Sequence, residues 1–187
     1  MAELKPHPGD SQRVELLGRN RLIDELLRDN LEVALPIRDR GIDLIAYADR
    51  FENVSAYVAR PIQMKAAWKQ AFAIDRKYEK FPGLLIAYVW NLSSQNNAVT
   101  YAMTFSQSCS IAEKMGWTRT ASWERGNYVS NAPGKRLIEL LKPFQMKPGA
   151  WWRLVVHSNT SARNPHPAPS LCLQHSAKAR LEGIHCG

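Results

Sequence analysis

Apolar positions in this chain change period several times, and each change marks an element. Between residues 11 and 30, Leu16, Leu22, Ile23, Leu26 and Leu27 fall on one broad arc at about 100° per residue, which predicts a helix. Asp10 or Ser11 is placed to cap it. Residues 31–37 read as a short strand and 38–41 as a turn. Residues 42–48 (IDLIAYA) read as a strand, followed by the polar link DRFEN. Residues 54–65 (VSAYVARPIQMK) form the next strand, with Pro61 pointing to an edge position or a bulge because proline donates nothing to a ladder. If the two strands form a hairpin turning near Asn53, opposed residues sum to about 106. Residues 66–80 read as a helix ended by Pro82-Gly83. Residues 84–90 and 98–105 are strands joined by SSQNN, a link rich in turn formers. A helix over 106–115 is stopped by Gly116, and another over 133–141 has Pro133 at its start and Pro143 past its end.

The resulting order, α-β-β-β-α-β-β-α-α, predicts an α/β protein with a mixed sheet flanked by helices. After about residue 150 the pattern fails. SNTSARNPHPAPS is rich in Pro, Ser and Asn, and nothing beyond it keeps a period. Residues 1–150 are therefore expected to form the domain and 151–187 an irregular tail. No internal repeat is visible, which excludes solenoids and propellers.

Composition narrows the class. With 45% apolar residues in 187, one packed domain is expected rather than global disorder. No apolar run approaches the roughly 18 residues of a membrane helix. The opening MAELKPHPGDSQ has no apolar secretion segment, so a cytoplasmic location is expected. Cys109, Cys172 and Cys186 are too scattered for a disulfide framework. The net charge of +8 points to an anionic partner, and its distribution says more than its size. Residues 1–59 carry 8 basic and 11 acidic side chains, whereas residues 60–140 carry 11 basic and 5 acidic.

Candidate chemistry concentrates in the acidic first third and just after it. Asp43 interrupts an apolar strand, where a carboxylate must be paired, hydrogen-bonded or bound to a metal. A strand-end Asp facing solvent or bonding a turn is the alternative. Gln63 and Lys65, two apart, share one face of the next strand. In the 106 register, Gln63 lies across from Asp43. Glu15 sits on the apolar arc of the first helix, although an exposed helical Glu is the common case. Two carboxylates, an amide oxygen and waters suit a hard cation, Mg²⁺ or Mn²⁺, with Asp43, Gln63 and Glu15 as its metal ligands. A nearby Lys can orient water and stabilise developing negative charge. On the helix predicted over 66–80, Lys69, Arg76 and Lys80 fall at i, i+7 and i+11. They form a basic stripe that either meets nucleic acid or is a solvated face.

A helix with Glu15, a short strand, G-x-D in GIDLIAY, and Q-x-K in IQMK followed by a helix together resemble the PD-(D/E)xK nuclease superfamily. The pattern is most similar to its Holliday-junction-resolvase-like and homing-endonuclease-like branches, over residues 12–105. The resemblance implies a restriction-endonuclease-like α/β core and a Mg²⁺-dependent DNA endonuclease. It assigns Asp43 to the metal-binding Asp, Gln63 to the (D/E) position, Lys65 to the catalytic Lys and Glu15 to the extra first-helix Glu. It implies DNA as partner and allows a homodimer, to which residues 128–141 can contribute. Two positions depart from the pattern: Ile42 stands where Pro is usual before the Asp, and Gln63 replaces an acid. The second removes a negative ligand, so the alternative is a degraded nuclease fold that binds nucleic acid or a protein.

Other chemistry has thinner support. His157, His166, His175 and His185 with Cys172 and Cys186 lack compact zinc spacing. Trp117, Trp123, Trp151 and Trp152 suit packing better than base stacking. No P-loop, G-x-G-x-x-G or G-x-S-x-G is present, so nucleotide hydrolysis, dinucleotide chemistry and serine hydrolysis find no motif.

Overall fold

A computed structural model describes residues 10–38, 40–48 and 57–156. The tail histidines, Cys172, Cys186 and the link near Asn53 lie outside the described residues. The first helix, α1 (Ser11–Arg28), starts where the Asp10 carboxylate accepts the Arg13 N–H at 2.9 Å. Strands β1 (Glu32–Ala34), β2 (Leu44–Ala48) and β3 (Val58–Ala66) follow, then β4 (Phe72–Asp75), β5 (Leu85–Trp90) and β6 (Val99–Thr104). Helix α2 (Phe105–Lys114) carries a reciprocal cap between Thr104 and Gln107. The chain continues through α3 (Ala121–Glu124), β7 (Asn127–Ser130), α4 (Lys135–Leu141) and α5 (Ala150–Val156).

Five strands make a mixed sheet in the order β1-β2-β3-β5-β6, with β3 and β5 parallel and the other pairs antiparallel. Strands β4 and β7 pair separately as a two-stranded ribbon. Leu44 faces Ile62 and Ile45 faces Pro61, the predicted register. All six residues of β5 are buried, because the sheet is covered on both faces. Leu85, Ala87 and Val89 join Leu22 and Leu26 of α1 and Trp151 of α5 in one core. Ile86, Tyr88 and Trp90 join Phe72, Ile74, Leu137 and Leu141 in the other. Each fully buried Leu contributes about 2 kcal/mol of transfer free energy to these cores. Trp117, Trp123 and Trp151 are buried, so these indoles pack rather than stack on bases. Among the described residues no helix is long and apolar enough to cross a membrane.

The mixed α/β architecture agrees with the sequence pattern, and three local expectations do not. Residues 66–80 are not a helix. The ladder of β3 runs to Ala66, a bend follows, β4 pairs with β7, and Arg76–Lys80 is one turn of 3-10 helix. The alanines at 66, 67, 71 and 73 favour a helix locally, but FAID alternates and buries Phe72 and Ile74 against the sheet. Tertiary pairing overrides propensity here. Pro61 is not on an edge strand. Strand β3 is interior, and its ladder with β5 begins one residue later, at Ile62 with Leu85. The residue without an N–H therefore sits before the second partner arrives. Finally, an ordered helix, α5, occupies residues where the pattern had failed.

Helix α5 is held by acids from α1. The Asp29 carboxylate accepts the N–H groups of Gly149 at 2.6 Å and Trp151 at 2.8 Å. Glu25 accepts from Trp151 Nε1 at 3.2 Å and from Thr100 Oγ1 at 2.8 Å, and pairs with Arg21 at 3.0 Å. Burial pushes the Glu25 carboxyl above its ordinary value despite those three partners. A raised carboxyl stabilises the fold fully below its unfolded value of 4.5 and loses that contribution as pH rises through the folded value. Glu25→Gln, neutral throughout, should therefore gain Tm relative to the parent between about pH 4 and pH 8, as read by thermal melts across that range.

At Gly18 helix α1 closely approaches β3. A Cβ there would lie 2.6 Å from the Ala66 Cβ and 3.2 Å from Met64 Sδ. The first atom is fixed to a strand backbone and cannot give. Gly18→Ala should destabilise by about 1–3 kcal/mol, outweighing the roughly 1 kcal/mol of helix propensity gained. Ala66→Gly in the same chain should recover part of the loss; denaturant titration of the single and double variants checks both.

Candidate active site

Strand β2 begins immediately after a turn that only glycine makes easily. Gly41 has φ +94°. A Cβ on Gly41 would stand 3.5 Å from the Tyr78 ring and 3.8 Å from Gln63 Oε1, so the turn is set close over both. The chain then reaches Asp43, whose N–H donates to the Ile62 carbonyl at 2.9 Å. Its carboxylate Oδ2 accepts the Met64 N–H at 2.6 Å and Gln63 Nε2 at 2.5 Å. Asp43 thus takes up a backbone donor just past Leu44 with Ile62, the last residue pair of the β2–β3 ladder, and the amide across from it.

Alternation on β3 separates the polar residues from the α1 core. Ile62 and Met64 enter that core, whereas Gln63 and Lys65 take the opposite side. Gln63 is 7% exposed, and its Nε2 donates also to the Met64 carbonyl at 3.0 Å. Lys65 is half-buried, and its Nζ donates to Tyr78 Oη at 2.8 Å. Nζ lies 5.1 Å from the Tyr78 ring centroid, which together with the short distance to oxygen puts the ammonium off the hydroxyl edge. The contact is a hydrogen bond, not a cation over the ring face.

An open cleft of ≈ 490 Å³ joins these groups to α1, lined by Asp43, Gln63, Lys65, Glu15, Val14 and Trp68 among others. Glu15 occupies the stripe of Gly18, Leu22 and Leu26, one turn nearer the N-terminus. It remains exposed over the cleft and pairs with Arg19 on its own helix. The structure therefore brings Asp43, Gln63, Lys65 and Glu15 to one cleft. It does not give Lys69, Arg76 and Lys80 a common helical face: Lys69 lies in the bend after β3, while Arg76 and Lys80 bound the 3-10 turn.

Two residues of this region are absent from the sequence-derived set. Trp68 lines the cleft, with the Arg13 guanidinium 6.0 Å from its ring. Tyr78 is buried and reaches Lys65 only through the fold of the β4 ribbon. Neither carries a spacing signal relative to Q-x-K.

The donor set suits a hard cation that keeps most of its waters: the Asp43 and Glu15 carboxylates and the Gln63 amide oxygen. Among the described residues no group of three or more His, Cys, Asp or Glu side chains comes together. A cation between Asp43 and Gln63 would require the amide to turn, exchanging its donor for its oxygen. As arranged, the amide replaces what two carboxylates would make repulsive with a donor–acceptor pair.

No protein-family model matches the chain, and no curated protein does. The chain is similar to the solved structure of a bacterial homing endonuclease, I-Ssp6803I, at 12% identity. That similarity covers 84% of this chain and 100% of that one, with a TM-score of 0.47.

Gln63→Glu tests the amide's part in the site. Two carboxylates at hydrogen-bond distance share a proton, so the new acid titrates above its unfolded value. Its cost, about 2 kcal/mol from the lost donor, should be small at acid pH and grow as pH rises. Melting curves of parent and variant between about pH 5 and pH 8 read this directly; a constant Tm gap would rule it out.

Proposed function

We propose that this chain is a metal-dependent endonuclease that hydrolyses phosphodiester bonds of DNA. The supporting observation is the convergence of Asp43, Gln63 and Lys65 from adjacent strands on a cleft that Glu15 overhangs. Carboxylate, amide and ammonium in one cleft match what phosphodiester hydrolysis requires: ligands for a hard cation and a positive group for the developing charge. Bound Mg²⁺ or Mn²⁺ would supply a hydroxide-like water and neutralise phosphate charge.

The chain's own residues have separate tasks in this reading. Asp43 would hold the cation, and the Met64 N–H bonded to its Oδ2 fixes the direction of the carboxylate. Gln63 turns its amide oxygen inward as it releases Asp43. Lys65 presents its ammonium to a non-bridging phosphate oxygen and orients the attacking water. Glu15, now paired with Arg19, would be the residue available to position a second ion or water. Lys69, Arg76 and Lys80 contact the DNA backbone from the bend and the 3-10 turn, not from one helix.

The Gln63–Asp43 bond favours a second reading. A cleft already satisfied by its own donors suits a nuclease-derived module that binds DNA without cutting it.

Nicking of supercoiled plasmid and of branched DNA, with and without Mg²⁺ or Mn²⁺, separates the two. Asp43→Ala and Lys65→Ala should each lose about 10²-fold or more in rate while keeping the parent's circular dichroism. If both variants cut as fast as the parent, the endonuclease reading fails. If no metal supports cutting but the protein binds DNA with steep salt dependence, the binding reading replaces it.

A further inference from the structure

We infer that Tyr78 is the positioning residue for Lys65: its buried hydroxyl fixes the lysine ammonium at the cleft. The inference concerns where the ammonium is held, and its catalytic consequence rests on the endonuclease reading.

Tyr78 is 1% exposed and belongs to the same buried core as Phe72, Ile74 and Ile86. A phenol in such a setting requires a partner for its hydroxyl. That partner is Lys65 Nζ, which donates to Oη at 2.8 Å. The ring cannot shift to follow the lysine. It sits on the turn Arg76–Lys80, where Asp75 accepts the Lys77 N–H at 2.9 Å and the Arg76 N–H donates to the Gly126 carbonyl at 2.8 Å. Gly41, at the turn that leads into Asp43, closes over the same ring. One buried residue therefore sets the height of the Asp43 turn and the end point of the Lys65 side chain.

The chemistry of the contact is one-directional. An ammonium has donors only, so Tyr78 Oη is the acceptor and keeps its own proton to donate. A lysine stem has many rotamers, and an ammonium without an acceptor in the cleft would sample water instead. Lys77, with its Nζ 5.1 Å from the same ring, adds a second positive charge near Tyr78, but Asp75 at 3.1 Å already holds that ammonium. Both lysines feel the Tyr78 hydroxyl, and Lys65 makes the short contact to it, at 2.8 Å.

The test is Tyr78→Phe in the full chain, which keeps the ring and removes only the oxygen. Two measurements are made. The first follows the Lys65 ammonium by nitrogen-15 NMR, assigned by its loss in Lys65→Ala. The signal is expected in the parent and broadened beyond detection in Tyr78→Phe, with an unchanged fold by backbone amide spectra. The second is plasmid nicking. Tyr78→Phe should lower kcat by about tenfold or more with KM within about twofold, and should cost nothing further in the Lys65→Ala background. An ammonium signal indifferent to Tyr78→Phe overturns the inference, as does a rate loss that adds fully to that of Lys65→Ala. A parent that cuts no DNA, yet shows a Tyr78-dependent ammonium signal, supports the holding role and overturns the endonuclease reading instead.

Discussion

Strand β3 is paired on both sides, antiparallel to β2 and parallel to β5, and its alternation governs the rest of the molecule. Because successive side chains take opposite faces, Ile62 and Met64 are committed to the core under α1, and Gln63 and Lys65 to the other side. A slip of one residue would put the lysine under α1 and Met64 on the cleft side. The hydrophobic requirement of one face thus sets the position of the polar groups on the other. The contact of Gly18 with Ala66 seats the helix on the same strand and holds Glu15 over the end of the cleft.

The cleft is polar but internally satisfied. Asp43 is engaged by a backbone N–H and an amide, Lys65 by a phenol, and Glu15 by Arg19. Leaving Asp43, Gln63 or Lys65 unpaired while partly buried would cost more than the exposed Glu15–Arg19 pair returns. Any ligand entering the cleft must therefore exchange one set of partners for another. The Gln63 amide can serve as donor or acceptor by rotating, so it can change partners without being left unsatisfied. Such a site differs from one built of two acids, which sit together only with a cation or a shared proton between them.

Much of this was readable along the chain where local pattern and tertiary demand agree. The strands carrying Asp43, Gln63 and Lys65 alternate, and the 106 register followed from pairing them as a hairpin. Disagreement arose where local propensity and distant pairing compete. Ala66, Ala67, Ala71 and Ala73 speak for a helix, but β7, more than 50 residues later, supplies the partner that makes residues 72–75 a strand. With the helix gone, the basic stripe of Lys69, Arg76 and Lys80 has no common face. Helix α5 is similarly non-local. Its seven described residues are too few to hold a helix alone, and the Asp29 carboxylate at the end of α1 binds its first turn.

By itself, the sequence determined the alternation of the strands, the capped first helix, the register of β2 on β3 and hence the meeting of Asp43 with Gln63. These depend on periods and spacings of a few residues, which the chain carries locally. Only the tertiary structure decided that residues 66–80 cross over as strand and 3-10 turn, that α5 is ordered, and that Tyr78 stands under Lys65. Each depends on a partner far away in the chain, and the free energy of that pairing outweighs the local preference it displaces.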